Sequence, residues 1–190
     1  MLAALAPSTR AQNFALGKTV TLDGTFGTFV PPHPYAHGGL ADASTLTDNV
    51  FKAENHYWSF DTVWWDKGSP GSENNSILVD LGSTRSISYF VVQADDNDAY
   101  SIEDDSGFIT TVPAVNTFGM VTRRLALPTP VSSRYLRVRG VGGDGNYSVS
   151  EIQAWGDSPA PPLVPPVPEP ASMLALGTGV AAWLRRRAIR

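Results

Sequence analysis

The chain has 190 residues, 42% hydrophobic and 17% charged, with a formal net charge of −4 and no cysteine. This length fits one ordinary domain with accessory segments, and 8 Phe, 6 Tyr and 5 Trp supply material for a core, which excludes a wholly disordered chain. The lack of cysteine excludes a disulfide scaffold, a thiolate zinc site and a cysteine nucleophile.

Charge is distributed unevenly along the chain. Of the 14 cationic residues, five lie outside residues 13–157, whereas only one of the 18 acidic residues, Glu169, does so. The body is therefore strongly acidic, which excludes nucleic-acid binding through a basic face. Of the five outlying cations, Arg10 lies near the N-terminus, and the other four lie at the C-terminal tip: Arg185, Arg186, Arg187 and Arg190.

Residues 1–12 are interpreted as the remnant of a signal peptide. Met1–Ala6 is small and apolar, and Ala4-Leu5-Ala6 or the stretch ending at Ala11 suits a signal peptidase. No basic segment precedes it, and the apolar stretch is shorter than usual. Two interpretations stay open: a start codon assigned too late, which leaves a stump, or a flexible leader.

Residues 13–157 are predicted to form one all-β domain. Short apolar runs alternate with turn residues, and no stretch has a sustained period of 3.6 residues. Several short strands without intervening helices favour an antiparallel sandwich or jelly roll. The clearest predicted strands are Ile77–Leu81, Ile87–Gln93, Met120–Leu127, Tyr135–Val141 and Tyr147–Trp155.

Within these runs, residues 134–139 alternate strictly, which places Arg137 on one face and Leu136 and Val138 on the other. Glycine and proline clusters between the runs predict turns. These turns fall at Gly82-Ser83, Pro128–Pro130 and Gly142–Asn146.

The body resembles the discoidin domain, also called the coagulation-factor type C or galactose-binding-like domain. Six segments carry the resemblance in family order: Asn13–Lys18, Leu46–Asn49 with Tyr57-Trp58, Ile77–Gly82, Tyr100–Ile102 with Ser106-Gly107, Tyr135–Val138 and Ser150–Gly156. The resemblance implies an antiparallel jelly-roll β-sandwich that binds its ligand through loops at one end. The chain departs from the family pattern in a longer gap from Asp48 to Trp58 and an inserted loop over 31–39.

The resemblance also implies a structural calcium ion between Asp48 and Glu151, to which Asn49 and Glu54 could contribute. Calcium prefers six to eight oxygen ligands, which carboxylates and loop carbonyls supply. The alternative is that Asp48 caps a turn while Glu151 faces solvent. A second acidic run, Asp95–Asp98, is either another cation site or a solvated turn, and its spacing is not that of an EF-hand.

Aromatic residues before the first long strand are the candidates for sugar contact: Tyr35, Trp64 and Trp65, with His37 as a polar partner. Because adjacent residues of a strand point to opposite faces, one of the two tryptophans is expected to be exposed. His33 and His37 have helical spacing for zinc, but the surrounding prolines prevent a helix.

The C-terminal 33 residues contain a spacer followed by an apolar run. Seven of the 15 prolines lie between Pro159 and Pro170, which predicts an extended spacer over 158–166. Ala171–Leu184 is uncharged and precedes an arginine cluster, the pattern of a membrane segment with a cytoplasmic cationic end. As a helix this run spans about 21 Å, which is less than the roughly 30 Å hydrocarbon core of a bilayer. The arginine cluster nevertheless favours a transmembrane helix, which is therefore predicted to be short.

Residues 167–190 resemble the PEP-CTERM sorting signal of Gram-negative bacteria. The motif residues are Val167, Pro168, Glu169 and Pro170, and the arginine cluster is Arg185, Arg186 and Arg187. The resemblance implies transient attachment to the inner membrane, cleavage by an exosortase, and release to the cell surface or extracellular matrix.

These observations predict an exported, non-enzymatic binding or adhesion module that is directed at carbohydrate and acts at the cell surface or in the extracellular polysaccharide matrix. Two alternatives stay open: a structural matrix or biofilm protein without a specific ligand, and a glycan-active enzyme. The sequence has no G-x-S-x-G, H-E-x-x-H, Walker A or Rossmann motif, so it offers no catalytic residue.

Overall fold

The computed structural model describes residues 9–29 and 38–159. Eight strands and one short 3₁₀ helix, Ala43–Thr47, make up the regular structure of these residues. The strands are β1 (Thr9–Asn13), β2 (Thr19–Asp23), β3 (Val63–Asp66), β4 (Ser76–Asp95), β5 (Ala99–Asp104), β6 (Gly107–Val112), β7 (Met120–Gly142) and β8 (Asn146–Pro159).

All strand pairs are antiparallel, in the order β1-β8-β4-β7-β5-β6, with β2 paired to β4 and β3 paired to β8. The predicted all-β antiparallel fold is thereby confirmed. Within the described residues, no helix has the length and apolar character needed to cross a membrane. The predicted C-terminal transmembrane helix lies outside these residues.

Strand β1 extends the domain beyond its predicted start. Its residues pair with β8 from Thr9↔Pro159 to Asn13↔Trp155, so residues 9–12 belong to the sheet rather than to a leader. The predicted start of the domain, residue 13, is the last residue of this strand. Edge strands held by backbone hydrogen bonds need no apolar pattern, which is why the sequence gives no sign of this one.

The long strands β4 and β7 each contain two of the predicted strands. The predicted turn at Gly82-Ser83 is instead an irregularity within β4, where Gly82 has a φ of +82° and the pairing with β7 shifts register between Asp80 and Arg85. The prolines predicted to form a turn at 128–130 lie inside β7, opposite a second register shift of β4, between Ile87 and Tyr89. Proline tolerates that place because few ladder hydrogen bonds form there.

The irregular stretch lets β4 serve two sets of neighbours around one core. The part of β4 before the irregular stretch pairs with β2 and the end of β7. The part after it pairs with β8 and the start of β7. Alternate residues of both parts are buried in one apolar cluster. Its largest members include Trp65, Tyr100, Phe90, Leu46 and Ile152.

Candidate functional site

Glu151 on β8 is one of the predicted calcium ligands, and its side chain is fully buried. Its Oε1 accepts a hydrogen bond from Gln153 Nε2 at 3.2 Å, while its Oε2 has no hydrogen-bond partner. Burial raises the pKa of Glu151 to about 8, against the Gln153 hydrogen bond and with a contribution from the Asp48 charge. The alternative that Glu151 faces solvent is therefore wrong.

Asp48 and Asn49 follow the 3₁₀ helix and lie beside Glu151 in what we call the Glu151 corner. Asp48 Oδ1 accepts the backbone N–H of Val50 at 2.8 Å, so this carboxylate does cap a turn. Asn49 has a φ of +66°, and its Oδ1 accepts a hydrogen bond from Gln153 Nε2 at 2.7 Å. The loop thus brings a second carboxylate and an amide to the buried glutamate.

The Glu151 corner fits calcium in its donor chemistry, because an unpaired carboxylate oxygen lies near a second carboxylate and an amide oxygen. The described part of the chain contains no group of three or more His, Cys, Asp or Glu residues arranged to hold a metal ion. The remaining ligands would therefore be backbone carbonyls and water.

Glu54 lies in a different set of contacts from the Glu151 corner. Its Oε1 accepts hydrogen bonds from Thr122 Oγ1 at 2.5 Å and from Gln93 Nε2 at 3.4 Å. These bonds, together with Lys52 N donating to Gln93 Oε1 at 2.7 Å, fasten the loop to β4 and β7. The structure therefore gives Glu54 a role in holding the loop.

The two predicted sugar-contacting tryptophans are both buried, at 2% exposure each. Trp65 points into the core, with ring centroids 5.2 Å from Tyr147 and 6.2 Å from Tyr100. Trp64 points to the other face of β3 and stacks on Phe29 at 4.6 Å. The expectation that one of the two is exposed is wrong, because loop aromatics cover the outer face of this strand.

Exposed aromatic side chains do occur nearby, and we call Tyr57, Phe60 and Phe118 the loop-end aromatic surface. Phe60 is 38% and Phe118 is 57% exposed, while Tyr57 is half-buried between them. The Tyr57 ring lies 5.3 Å from Phe60 and 6.5 Å from Phe118. Two loops distant in sequence therefore present one aromatic surface.

Backbone contacts hold these two loops together. Asn55 N donates to Met120 O at 2.9 Å, and Met120 N donates to His56 O at 2.8 Å. Gly119 packs against the His56 carbonyl with a φ of +62°, and a Cβ at this position would overlap that carbonyl. The loop-end aromatic surface is thus fixed by backbone hydrogen bonds at its base.

Tyr35 and His37 lie in the segment 30–37, outside the described residues. The described residues that flank this segment contact the loop that carries Tyr57 and Phe60. The Phe29 and Trp58 ring centroids are 5.9 Å apart, and Gly38 N donates to Ser59 O at 3.0 Å. Sequence reasoning missed Phe60 and Phe118. An aromatic residue set in a polar, glycine-containing loop, as in Asn-Thr-Phe-Gly at 116–119, was the signal available.

The acidic run Asp95–Asp98 meets the β7–β8 turn in what we call the acidic corner, formed by Asp95, Asn97, Asp98 and Asp144. Asp95 is 3% exposed and Asp98 fully buried, and no described side chain donates a hydrogen bond to either carboxylate. Asn97 Nδ2 donates to Asp144 Oδ2 at 3.1 Å. The prediction of a solvated turn is therefore wrong for these two aspartates.

Burial dominates the electrostatics of the acidic corner. It raises the pKa of Asp95 to about 8, aided by the Asp98 charge, and the pKa of Asp98 to about 7, aided by the Asp144 charge. Arg123 is the nearby cation, but its guanidinium donates to backbone carbonyls, including those of Ala94 at 2.5 Å and Asp95 at 2.6 Å. The buried carboxylates therefore stay without a salt bridge.

The predicted sorting signal lies outside the described residues. A family model described as the PEP-CTERM protein-sorting motif matches residues 166–188. The chain therefore carries this motif, which confirms the resemblance of its C-terminal segment and indicates an exported protein. No curated protein matches the chain.

The described domain is similar to solved structures. One is the family 32 carbohydrate-binding module from C. perfringens NanJ in complex with galactose, at 14% identity and a TM-score of 0.51, covering 78% of this chain and 100% of that one. Another is a histidine mutant of the lectin-binding domain of Lectinolysin complexed with Lewis b. It is 15% identical, with a TM-score of 0.51, and the match covers 80% of this chain and 100% of that one. These similarities establish the predicted discoidin-like jelly-roll fold.

Proposed function

We propose that this chain is an exported, non-enzymatic carbohydrate-binding module whose loop-end aromatic surface contacts the sugar. The observation that carries the proposal is the exposure of Phe60 and Phe118 at one loop end of the domain. Sugar rings stack on exposed aromatic faces, and polar side chains beside them bind the hydroxyl groups. Asn116 and Thr117 are exposed on the same loop as Phe118 and supply such groups.

Two features of the molecule support this function over a bare structural role. The two solved structures of similar fold described above were determined with sugars. The aromatic residues are also held by a backbone framework that does not depend on their rings. An exposed apolar surface on loops is typical of a binding site.

Affinity gel electrophoresis of the full chain in gels containing bacterial and plant polysaccharides tests the proposal. We expect at least one polysaccharide to retard the wild-type protein, and both Phe118→Ala and Phe60→Ala to reduce that retardation by about ten-fold in apparent affinity. Leu16→Ala is the matched control, since Leu16 is 53% exposed and lies outside this surface. Absence of retardation by every polysaccharide would contradict the proposal.

The sorting motif supports a second part of the proposal, that an exosortase cleaves the chain near Pro168-Glu169-Pro170 and the domain then reaches the cell surface or the matrix. Expression with and without exosortase, followed by mass spectrometry of the C-terminus, tests this step. We expect loss of Arg185–Arg187 only when exosortase is present. An intact tail in both strains would overturn it.

Calcium is the third part of the proposal, with Glu151 and Asp48 as its carboxylate ligands. The unpaired Oε2 of a fully buried glutamate is the supporting observation. The ion would neutralise two carboxylates that otherwise repel each other, and it would fix the loop that leads to the loop-end aromatic surface. Its role is therefore structural.

A further inference from the structure

We propose a second sugar-binding site, on the outer face of the sheet formed by β4, β7 and β5. A depression of about 270 Å³ lies there, lined by Leu78, Asp104, Asp105, Tyr135 and Arg137. It is built from strand residues and one hairpin turn, and it shares no residue with the loop-end aromatic surface. The proposal extends the function above and takes its ligand class from the chemistry of the depression itself.

Strand alternation creates the depression. Leu136 and Val138 on β7 are buried in the core, so Tyr135 and Arg137 point outward. Leu78 on β4 lies opposite Arg137 in the register and is half-buried beneath it. Antiparallel pairing with β5 then sets the β5–β6 turn, with its two aspartates, at the edge of the same face.

Neighbouring contacts fix two of the walls. Arg134 binds Asp80 with two hydrogen bonds, at 2.8 and 2.9 Å, and its guanidinium lies 4.8 Å from the centre of the Tyr135 ring. Asp104 Oδ1 accepts the backbone N–H of Ser106 at 2.7 Å, which holds this carboxylate in the turn. The depression therefore presents preorganised groups to a ligand.

The charged side chains that line the depression form no ion pair with one another or with other described residues. Ion pairs of the described residues join Arg134 to Asp80 and Arg139 to Glu103, and neither includes Arg137, Asp104 or Asp105. The Arg137 guanidinium makes one long hydrogen bond, to Ser76 Oγ at 3.4 Å. Most of its five N–H donors are thus available, together with acceptor oxygens of both aspartates.

This combination selects a neutral polyhydroxylated ring. The two carboxylates disfavour an anion, whereas hydroxyl groups accept from Arg137 and donate to the aspartates at once. Leu78 and the Tyr135 ring supply an apolar surface for the carbon face of a pyranose. The volume lies just below the roughly 300–1,000 Å³ of drug-sized pockets, which suits one sugar ring.

NMR chemical-shift mapping on the full chain tests the site with galactose, glucose, mannose and N-acetylglucosamine, and with glucuronate as the anionic comparison. We expect at least one neutral sugar to shift the Arg137 Nε–H and Asp105 amide signals saturably. Arg137→Gln should weaken that binding by roughly ten-fold or more. Arg139→Gln, on the same strand and face but outside the lining, should leave it unchanged.

The outcomes separate the two proposed sites. If a sugar shifts the Arg137 signal but not the Phe118 signals, the result contradicts the loop-end site and supports the sheet-face site. The sheet-face proposal is overturned if no neutral sugar shifts these signals, if glucuronate binds more tightly than every neutral sugar, or if Arg137→Gln binds like the wild type while its amide spectrum shows an intact fold.

Discussion

The Glu151 corner and the acidic corner both bury carboxylates that lack a side-chain cation, yet their surroundings differ. At the Glu151 corner the partners are exposed loop residues, Asp48 and Asn49. At the acidic corner, Asp98 packs directly against the glycine turn at 143–145. The Glu151 corner is bordered by loop residues that are exposed to solvent, whereas the acidic corner is closed by the chain itself.

The two corners represent two ways in which a folded chain tolerates a buried acid. A buried carboxylate that stays charged needs a counter-ion or hydrogen bonds, and otherwise it holds a proton. We therefore expect calcium to stabilise the Glu151 corner and protonation to stabilise the acidic corner.

The largest effect is expected from Gly143→Ala in the acidic corner. Gly143 has a φ of +113°, and an added Cβ would overlap Asp98 Oδ1 and lie 2.7 Å from the Asn97 carbonyl oxygen. We expect a loss of about 3 kcal/mol in the free energy of unfolding, measured by urea denaturation.

Gly107→Ala is the matched control, because Gly107 has a φ of +124° but nothing within 4 Å of the added Cβ. It isolates the cost of the backbone conformation, which is about 1 kcal/mol. Equal losses for the two variants would show that Asp98 does not close the corner against Gly143.

The next effect concerns calcium at the Glu151 corner. At pH 8, saturating calcium should raise Tm by several degrees relative to chelator, since an ion at 100 times its Kd contributes about 2.7 kcal/mol. Glu151→Gln should abolish this response. Glu54→Gln should retain it, because Glu54 binds Thr122 instead. A wild-type Tm that is the same in calcium and in chelator would contradict calcium binding at the Glu151 corner.

The last effect is a pH dependence of stability, to which Asp95 and Asp98 contribute, together with Glu151 when calcium is absent. Because the folded pKa of Asp95 is about 8 and its ordinary value is 3.8, its contribution to stability is complete below about pH 4 and is lost as pH rises through 8. In chelator, Tm should therefore fall from pH 5 to pH 9.

Asp95→Asn removes the charge of this carboxylate while keeping the side chain at a similar size. We expect this variant to be more stable than the wild type at pH 9, by about 2 kcal/mol, and to differ little at pH 5. Its Tm should respond to calcium like that of the wild type. A wild-type Tm that rises with pH over this range would be inconsistent with protonated aspartates in the acidic corner.

Much of the fold could be predicted from the sequence, because alternation and turn residues are local signals. The strands around Val79, Val92 and Val138 follow from them directly. The bends within β4 and β7 could not be predicted, since glycine and proline clusters mark a turn and a bulge in the same way. Only the pairing partners decide between the two.

The same distinction between local and long-range signals applies to the candidate sites. Glu151 was recognised through a resemblance, but its burial depends on the loop that covers β8. The burial of Trp64 depends on Phe29 and Trp58, which contact it from other segments. Sequence shows which side chains alternate along a strand, whereas exposure of the outer face is decided by long-range loop packing.

The central claim is that the loop-end aromatic surface binds sugar, and isothermal titration calorimetry tests it most directly. The full chain would be titrated in calcium with galactose, glucose, mannose and N-acetylglucosamine and their β-linked trisaccharides. We predict saturable binding of at least one of them, weakened about ten-fold by Phe118→Ala and unchanged by Leu16→Ala. Equal affinity of wild type and Phe118→Ala, or no binding to any of these sugars, would contradict the claim.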